Sequence, residues 1–301
     1  MVTVGPDALE LFPRFSLYNS PYPAHDEGCA VDLYPHEGDW RETGDDDESR
    51  ETSAPSPVAG EVTRTRTVSA PAKSYAVDHD HLIVVDTGEY LARVLHVDPG
   101  VEPGETVAVG DSLGEMVRSG FFAPWVDNHL HLGFRERDAD PIRASGSLPV
   151  EVAPRDGLAG VAWDGSGTVV ARGDTYAVLD SPDHPAPGER FAGIAPDVEG
   201  DGVLDGERGG VLDGGLPHYE GGGVLGLADA SETAAVSLAG QRVGVARGRT
   251  VAWDDLTVLA NGTPITGVSL FAARETLGAK LVGPAVEFEV GETVDVRLES
   301  P

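Results

Sequence analysis

Glycine and proline interrupt this chain so often that long helices have no room to form. The 301 residues include 39 glycines and 22 prolines, and the segments between them are short and rich in valine. Proline removes a backbone donor and glycine weakens the interior of any regular element, whereas branched valine suits a pleated strand. No long apolar pattern of period 3.6 appears, so the spacing predicts an all-β protein. In the first half, strands are expected near 29–33, 57–63, 82–86, 90–97, 106–109, 112–117 and 129–135. In the second half they are expected near 167–172, 175–180, 234–238, 242–246, 250–253, 256–259, 267–272, 285–290 and 293–298. Asn261-Gly262-Thr263 is formally a glycosylation sequon, but it is also a strong hairpin-turn signal, and the turn is preferred.

The chain is long enough for two domains, and its 40% hydrophobic content can supply packed cores. A polar, turn-like stretch at 138–149 marks the expected boundary, giving domains 1–148 and 149–301. Residues 36–53 crowd eight carboxylates into a run with almost no apolar residues and read as a solvated loop. They lack the regular ligand spacing of a calcium loop. Gly202-Val-Leu-Asp-Gly206 recurs as Gly210-Val-Leu-Asp-Gly214 and is echoed at Gly223–Gly226. Because the period is not sustained, these segments read as tight turns rather than a calcium repeat.

Charge narrows the partners. The formal net charge is −30, with 51 acidic against 21 basic residues, of which only Lys73 and Lys280 are lysines. An acidic, arginine-over-lysine surface on a folded chain suits concentrated salt, where screening relieves self-repulsion. It argues against nucleic acid and anionic membranes as partners. Cys29 is the only cysteine, so no intramolecular disulfide can form. No segment is long and apolar enough to span a bilayer, and the first residues lack the pattern of a secretory signal, so a cytoplasmic location is expected.

The chemistry gathers in the first domain. Asn128-His-Leu-His-Leu-Gly-Phe134 alternates along an expected strand, placing His129, His131 and Gly133 on one face and Leu130, Leu132 and Phe134 on the other. Seven of nine histidines (His25, His36, His79, His81, His96, His129 and His131) precede residue 150. Three segments stand out: His25 to Asp32, Tyr90 to His96, and the strand carrying His129 and His131. His79 and His81 sit in an Asp/His-rich turn that could bind metal at the surface, but such a turn is more often simply polar. Spacing alone leaves a metal site and a merely half-exposed strand both open.

The order of these elements resembles the lysostaphin-type zinc metallopeptidases, which cleave peptide cross-links of bacterial cell walls. Their His…Asp pair, "G-T-P-V-x-A-x-x-x-G-x-V", "Y-x-H-L", "V-x-x-G-x-x-V-x-x-G-x-x-I-G" and "H-L-H" elements find counterparts here. These are His25…Asp32, Ala54 to Val62, Tyr90 to His96, Val101 to Gly114, and His129-Leu130-His131. The resemblance covers about residues 20 to 145. It implies an N-terminal β-sandwich of duplicated hybrid motif (barrel-sandwich hybrid) type, followed here by a second β-rich domain. It also implies one zinc ion held by His25, Asp32 and His131, with His129 catalytic and His96 assisting, acting on a peptide-like substrate.

Two departures accompany the likeness. The family's first ligand stands four residues before the Asp, where this chain has Gly28, so His25 must curl back; Glu27 and His36 are substitutes. The segment from Tyr90 to His96 is also longer than "Y-x-H-L". A non-catalytic binding or scaffold protein that keeps a partial or structural metal site is the competing expectation. A biotinyl or lipoyl carrier is disfavoured, because neither lysine stands in a carrier setting. The second domain carries no recognisable chemistry, and its protein partner is unknown.

Overall fold

The computed structural model describes residues 1–35, 52–143, 145–197, 210–226 and 233–300. Residues 36–51 of the acidic stretch, with His36 and the Gly202–Gly206 segment, lie outside the described residues. The described chain is nearly all β, and its helices, Pro6–Leu9 and Pro23–Asp26, are four residues each. No described helix is long and apolar enough to cross a membrane. The chain divides into two compact units. Of the described residues, one takes 1–15, 27–35 and 52–153, and the other takes 16–26 and 154–300.

In the first unit an antiparallel sheet runs in the order Ala30–Tyr34, Leu130–Glu136, Tyr90–Leu95, His79–Asp86, Gly60–Ser69, Thr106–Val107. A three-stranded sheet joins Ser53–Pro55, Ser112–Met116 and Val97–Pro99, and Val2–Val4 pairs in parallel with Val150–Val152. Alternation sorts the side chains onto two faces. Val31, Leu33, Ile83, Val85, Val94, Leu130, Leu132 and Phe134 turn to one face and are buried. The opposite face carries Asp32, His131, Gly133, Arg93 and Arg135, in register across three strands. A glycine at 60, with φ of +157°, opens the Gly60–Ser69 strand where a side chain would strike the Asp86 carbonyl.

The second unit is built on a twelve-stranded sheet that runs from Thr233–Leu238 at one end to Thr263–Ile265 at the other. Residues from both ends of that order, including Val236, Val251, Leu212, Val258 and Leu298, share one apolar cluster, so the sheet curls around its core. Thr293–Glu299 shows the alternation plainly, with Val294, Val296 and Leu298 inward and Asp295, Arg297 and Glu299 outward. The Asn261-Gly262 turn has positive φ at both residues and joins Thr257–Ala260 to Thr263–Ile265, as the hairpin reading requires.

Two expectations are corrected. Residues 285–290 form no strand; Val286 and Glu287 are tied back into turns, while Val286 and Phe288 still pack in the core. The Gly210–Gly214 and Gly223–Gly226 segments are not tight turns. Val211–Leu216 and Gly221–Leu225 pair as antiparallel strands. Their glycines make room for aromatic rings: a Cβ at Gly222 would strike Trp253, and one at Gly223 would strike Tyr18.

Candidate metal centre

Asp32 and His131 are direct partners in the antiparallel ladder, so their side chains stand together on the polar face. The His131 Nδ1 lies 3.1 Å from Asp32 Oδ1. His129, one residue before the strand begins, brings Nε2 to 3.4 Å from Asp32 Oδ2.

His25 sits in the short Pro23–Asp26 helix, and its Nδ1 lies 2.6 Å from the Leu17 carbonyl. A carbonyl only accepts, so Nδ1 carries the proton and Nε2 keeps the lone pair a metal needs. The Leu17 turn is itself held. Asp213 accepts the Leu17 amide at 2.6 Å, the Tyr18 amide at 3.2 Å and the Ser16 hydroxyl at 2.5 Å. Burial pushes the Asp213 carboxyl up to about 7 against the pull of these three donors and of His25. Ligand atoms of His25, Asp32 and His131 all lie within 4.8 Å of one another. Two imidazoles and a carboxylate at such spacing form a possible metal-binding group whose donor chemistry fits zinc. Glu27, the described alternative, is exposed.

His129 is buried, and its Nδ1 donates to the Asp127 carbonyl at 2.9 Å. Burial lowers its pKa to about 4, helped by the neighbouring His96 and His131 and opposed by Asp32 and the Asp127 carbonyl. Near pH 7 it is therefore neutral, with its lone pair on Nε2 facing the Asp32 carboxylate. Two acceptors so placed repel unless a proton, a water or a cation lies between them. Asp127 is fixed in turn by an ion pair with Arg14 at 2.6 Å, and the Arg14 guanidinium lies over the Tyr34 ring.

His96 reaches the same place by breaking the strand pattern. Leu95 pairs with His131 and shares its face, so alternation would turn His96 to the other side. A left-handed φ of 71° at His96 ends the strand there instead, a conformation that costs a non-glycine residue about 1–2 kcal/mol. The ring comes within 5.3 Å of His129 and 5.9 Å of His131, centroid to centroid. Its Nδ1 meets Asp80 Oδ2 at 2.6 Å, and its amide donates to Asp80 Oδ1. Asp80 also accepts from the Ser119 hydroxyl and the His81 amide. Burial opposes its ionisation, but the attraction of His96 and these hydrogen bonds prevail and hold it at about 2. Phe122 stacks on His129 at 4.3 Å and meets His96 edge-on at 4.7 Å.

All five residues singled out from the sequence are described. His25, Asp32 and His131 come together as a donor set, and His129 and His96 line up beside it. Asp80, Ser119, Phe122 and Asp213 escaped sequence reading. The Asp/His-rich segment, expected as a polar turn, is strand from His79 onward, and Asp80 within it is fully buried.

Residues 3–152 match a family described as "Domain of unknown function (DUF8155) N-terminal domain". Residues 159–299 match its "C-terminal domain". The chain belongs to the DUF8155 family. His25, Asp32 and His131, with His96 and His129, all lie in the part that matches the DUF8155 N-terminal domain. No curated protein matches the chain.

Proposed function

We propose that this protein is a zinc-dependent peptide or amide hydrolase resembling the lysostaphin-type metallopeptidases, adapted to high salt. The observation that carries the reading is the convergence of His25, Asp32 and His131 donor atoms with two further imidazoles beside them. The resemblance also implies a duplicated hybrid motif fold for the first domain. Bound in that set, zinc would supply Lewis acidity and a water of lowered pKa. His129, neutral with its Nδ1 proton committed to Asp127, keeps Nε2 free to accept a proton from a nucleophilic water. His96, steadied by Asp80 through Nδ1, is left with Nε2 to meet the substrate and hold or return a proton.

Metal analysis of the protein purified in high salt tests this reading. About one zinc per chain is expected, lost in a His131→Ala variant that remains folded; a folded, metal-free wild type overturns it. A second reading, a non-catalytic binding or scaffold protein with a structural metal, draws support from closure. His129 and His96 are buried and capped by Phe122, whereas a catalytic site keeps an open position. Bound zinc without hydrolysis of any amide in a peptide library, in the wild type and in Phe122→Ala alike, would favour that reading.

A further inference from the structure

The face that holds Asp32 and His131 continues beyond them. Gly133 and Arg135 follow His131 at two-residue intervals on the same side of their strand. Across the ladder Gly133 pairs with Arg93, and Arg93 pairs on its other side with Val84. Arg93 therefore stands diagonally next to His131, roughly 8 Å away between backbones by ordinary sheet spacings. On the same face, Val84 is its ladder partner and Leu91 and Leu95 flank it along the strand; Leu82, Val84 and Leu91 form one apolar cluster with Leu95, Val68 and Ile142 packed against it. The Arg93 side chain therefore rises among apolar neighbours, with Nε buried.

The two arginines of this face are held differently. Arg135 is buried and engaged: Nη1 donates to Ser147 Oγ and to the Phe134 carbonyl at 3.1 Å, and Nη2 to the Arg143 carbonyl at 3.2 Å. Arg93 makes no hydrogen bond or ion pair among the described residues, and its Nε is fully buried without an acceptor. Burial and, after it, the charge of Arg135 lower its pKa to about 10, which leaves it a cation near neutral pH. No carboxylate among the described residues pairs with this partly buried guanidinium, and a charge with a buried, unanswered donor is costly. Gly133, the ladder partner of Arg93 and two residues from His131, puts no side chain between them. A Cβ there would meet only the Cys29 carbonyl at 3.6 Å and His131 Nε2 at 4.0 Å, both ordinary contacts.

We propose that Arg93 is the anchor of a carboxylate-binding pocket floored by Gly133, which selects substrates that carry a carboxylate one or two residues from the bond to be cut. The planar guanidinium matches a carboxylate as a two-pronged donor, and apolar neighbours strengthen that bond. Arg135 adds a second positive charge to the same field. The carboxylate is the terminus of a peptide or an acidic side chain. The placement beside the bond to be cut rests on the hydrolase reading above; the anion site itself does not.

The test uses the full-length protein, as purified and again after chelation, at fixed salt, with binding followed by calorimetry or NMR. Three probes separate the sources: N-acetyl-diglycine with its terminal carboxylate, the α-amide of N-acetylglutamate with only a side-chain carboxylate, and neutral N-acetyl-diglycine amide. At least one charged probe is expected to bind about ten-fold or more tightly than the neutral one, and the probe that does so identifies the source. Arg93→Met, apolar and similar in reach, should keep the fold by circular dichroism and remove the preference. Arg93→Lys should keep part of it. Equal binding of all three probes, binding of none, or a preference that survives in Arg93→Met overturns the proposal. An Arg93-dependent preference in protein found to hold no zinc would sink only the hydrolase reading, while one zinc without a preference would sink only this one.

Discussion

Asp80 in the first unit and Asp213 in the second are both fully buried, yet they ionise in opposite directions, at about 2 and about 7. Both accept a hydroxyl and two backbone amides. The difference is the imidazole: Asp80 touches His96 directly, whereas His25 acts on Asp213 only from a distance. Burial raises a carboxyl unless a neighbour able to carry positive charge repays the lost hydration. Asp80 is thus a charged partner that orients a histidine of the candidate site. Asp213 is close to a neutral clasp that shapes the turn whose carbonyl holds His25.

Removing Asp80 should have the largest effect. Asp80→Ala leaves His96, Ser119 and two amides without their acceptor and should cost about 3–5 kcal/mol in urea unfolding. Asp213→Asn copies the protonated form, with its amide N–H facing Ser16 and its oxygen facing the Leu17 and Tyr18 amides. It should cost less than about 1 kcal/mol near pH 6. Equal losses in the two variants would erase the distinction.

pH sharpens it next. Asp213 has a folded pKa raised above its unfolded value, so the native state holds more protons between about pH 4 and 7. Its contribution is fully present below that window and is lost as pH rises through about 7. Asp80 is depressed, so its contribution of roughly 2 kcal/mol is present above about pH 4 and lost as pH falls through 2. Compared with the wild type, Asp213→Asn should lack the decline between pH 4 and 7 by a few kcal/mol, read from urea midpoints at several pH values. A difference profile that is flat there would contradict the raised value.

Zinc should stabilise the wild type by about 2.7 kcal/mol at a hundred-fold excess over Kd, seen as a rise in Tm, and His131→Ala should abolish the rise. Asp213→Ala, which frees the turn behind His25, should weaken zinc about ten-fold, as loss of an orienting partner does. Asp213→Asn should not. Glycines give the smallest contrast. Gly222→Ala drives a methyl into Trp253 and should cost about 1–3 kcal/mol, while Gly133→Ala finds only ordinary contacts and should stay within about 0.5 kcal/mol. Thermal melts of the two variants would separate these values.

Legibility followed range along the chain. The alternation of Thr293–Glu299, the Asn261-Gly262 hairpin and the shared face of His129, His131 and Gly133 are all local patterns, and each was readable. Residues 285–290 misled because their apolar residues pack in the core without a partner strand. The Val-Leu-Asp-Gly segments misled because glycine marks turns far more often than it marks room for Trp253 or Tyr18.

The sequence by itself determined the all-β class and nominated the five residues of the candidate site, because strand alternation and the order of motifs are written along the chain. Only the tertiary structure decided what accompanies them. Asp80 reaches His96 across sixteen residues and through a left-handed backbone step. Asp213 reaches Leu17 across 196. Arg93 and His131 become neighbours only through ladder register. Charge, tautomer and solvation are properties of surroundings, and surroundings are assembled from distant parts of the chain.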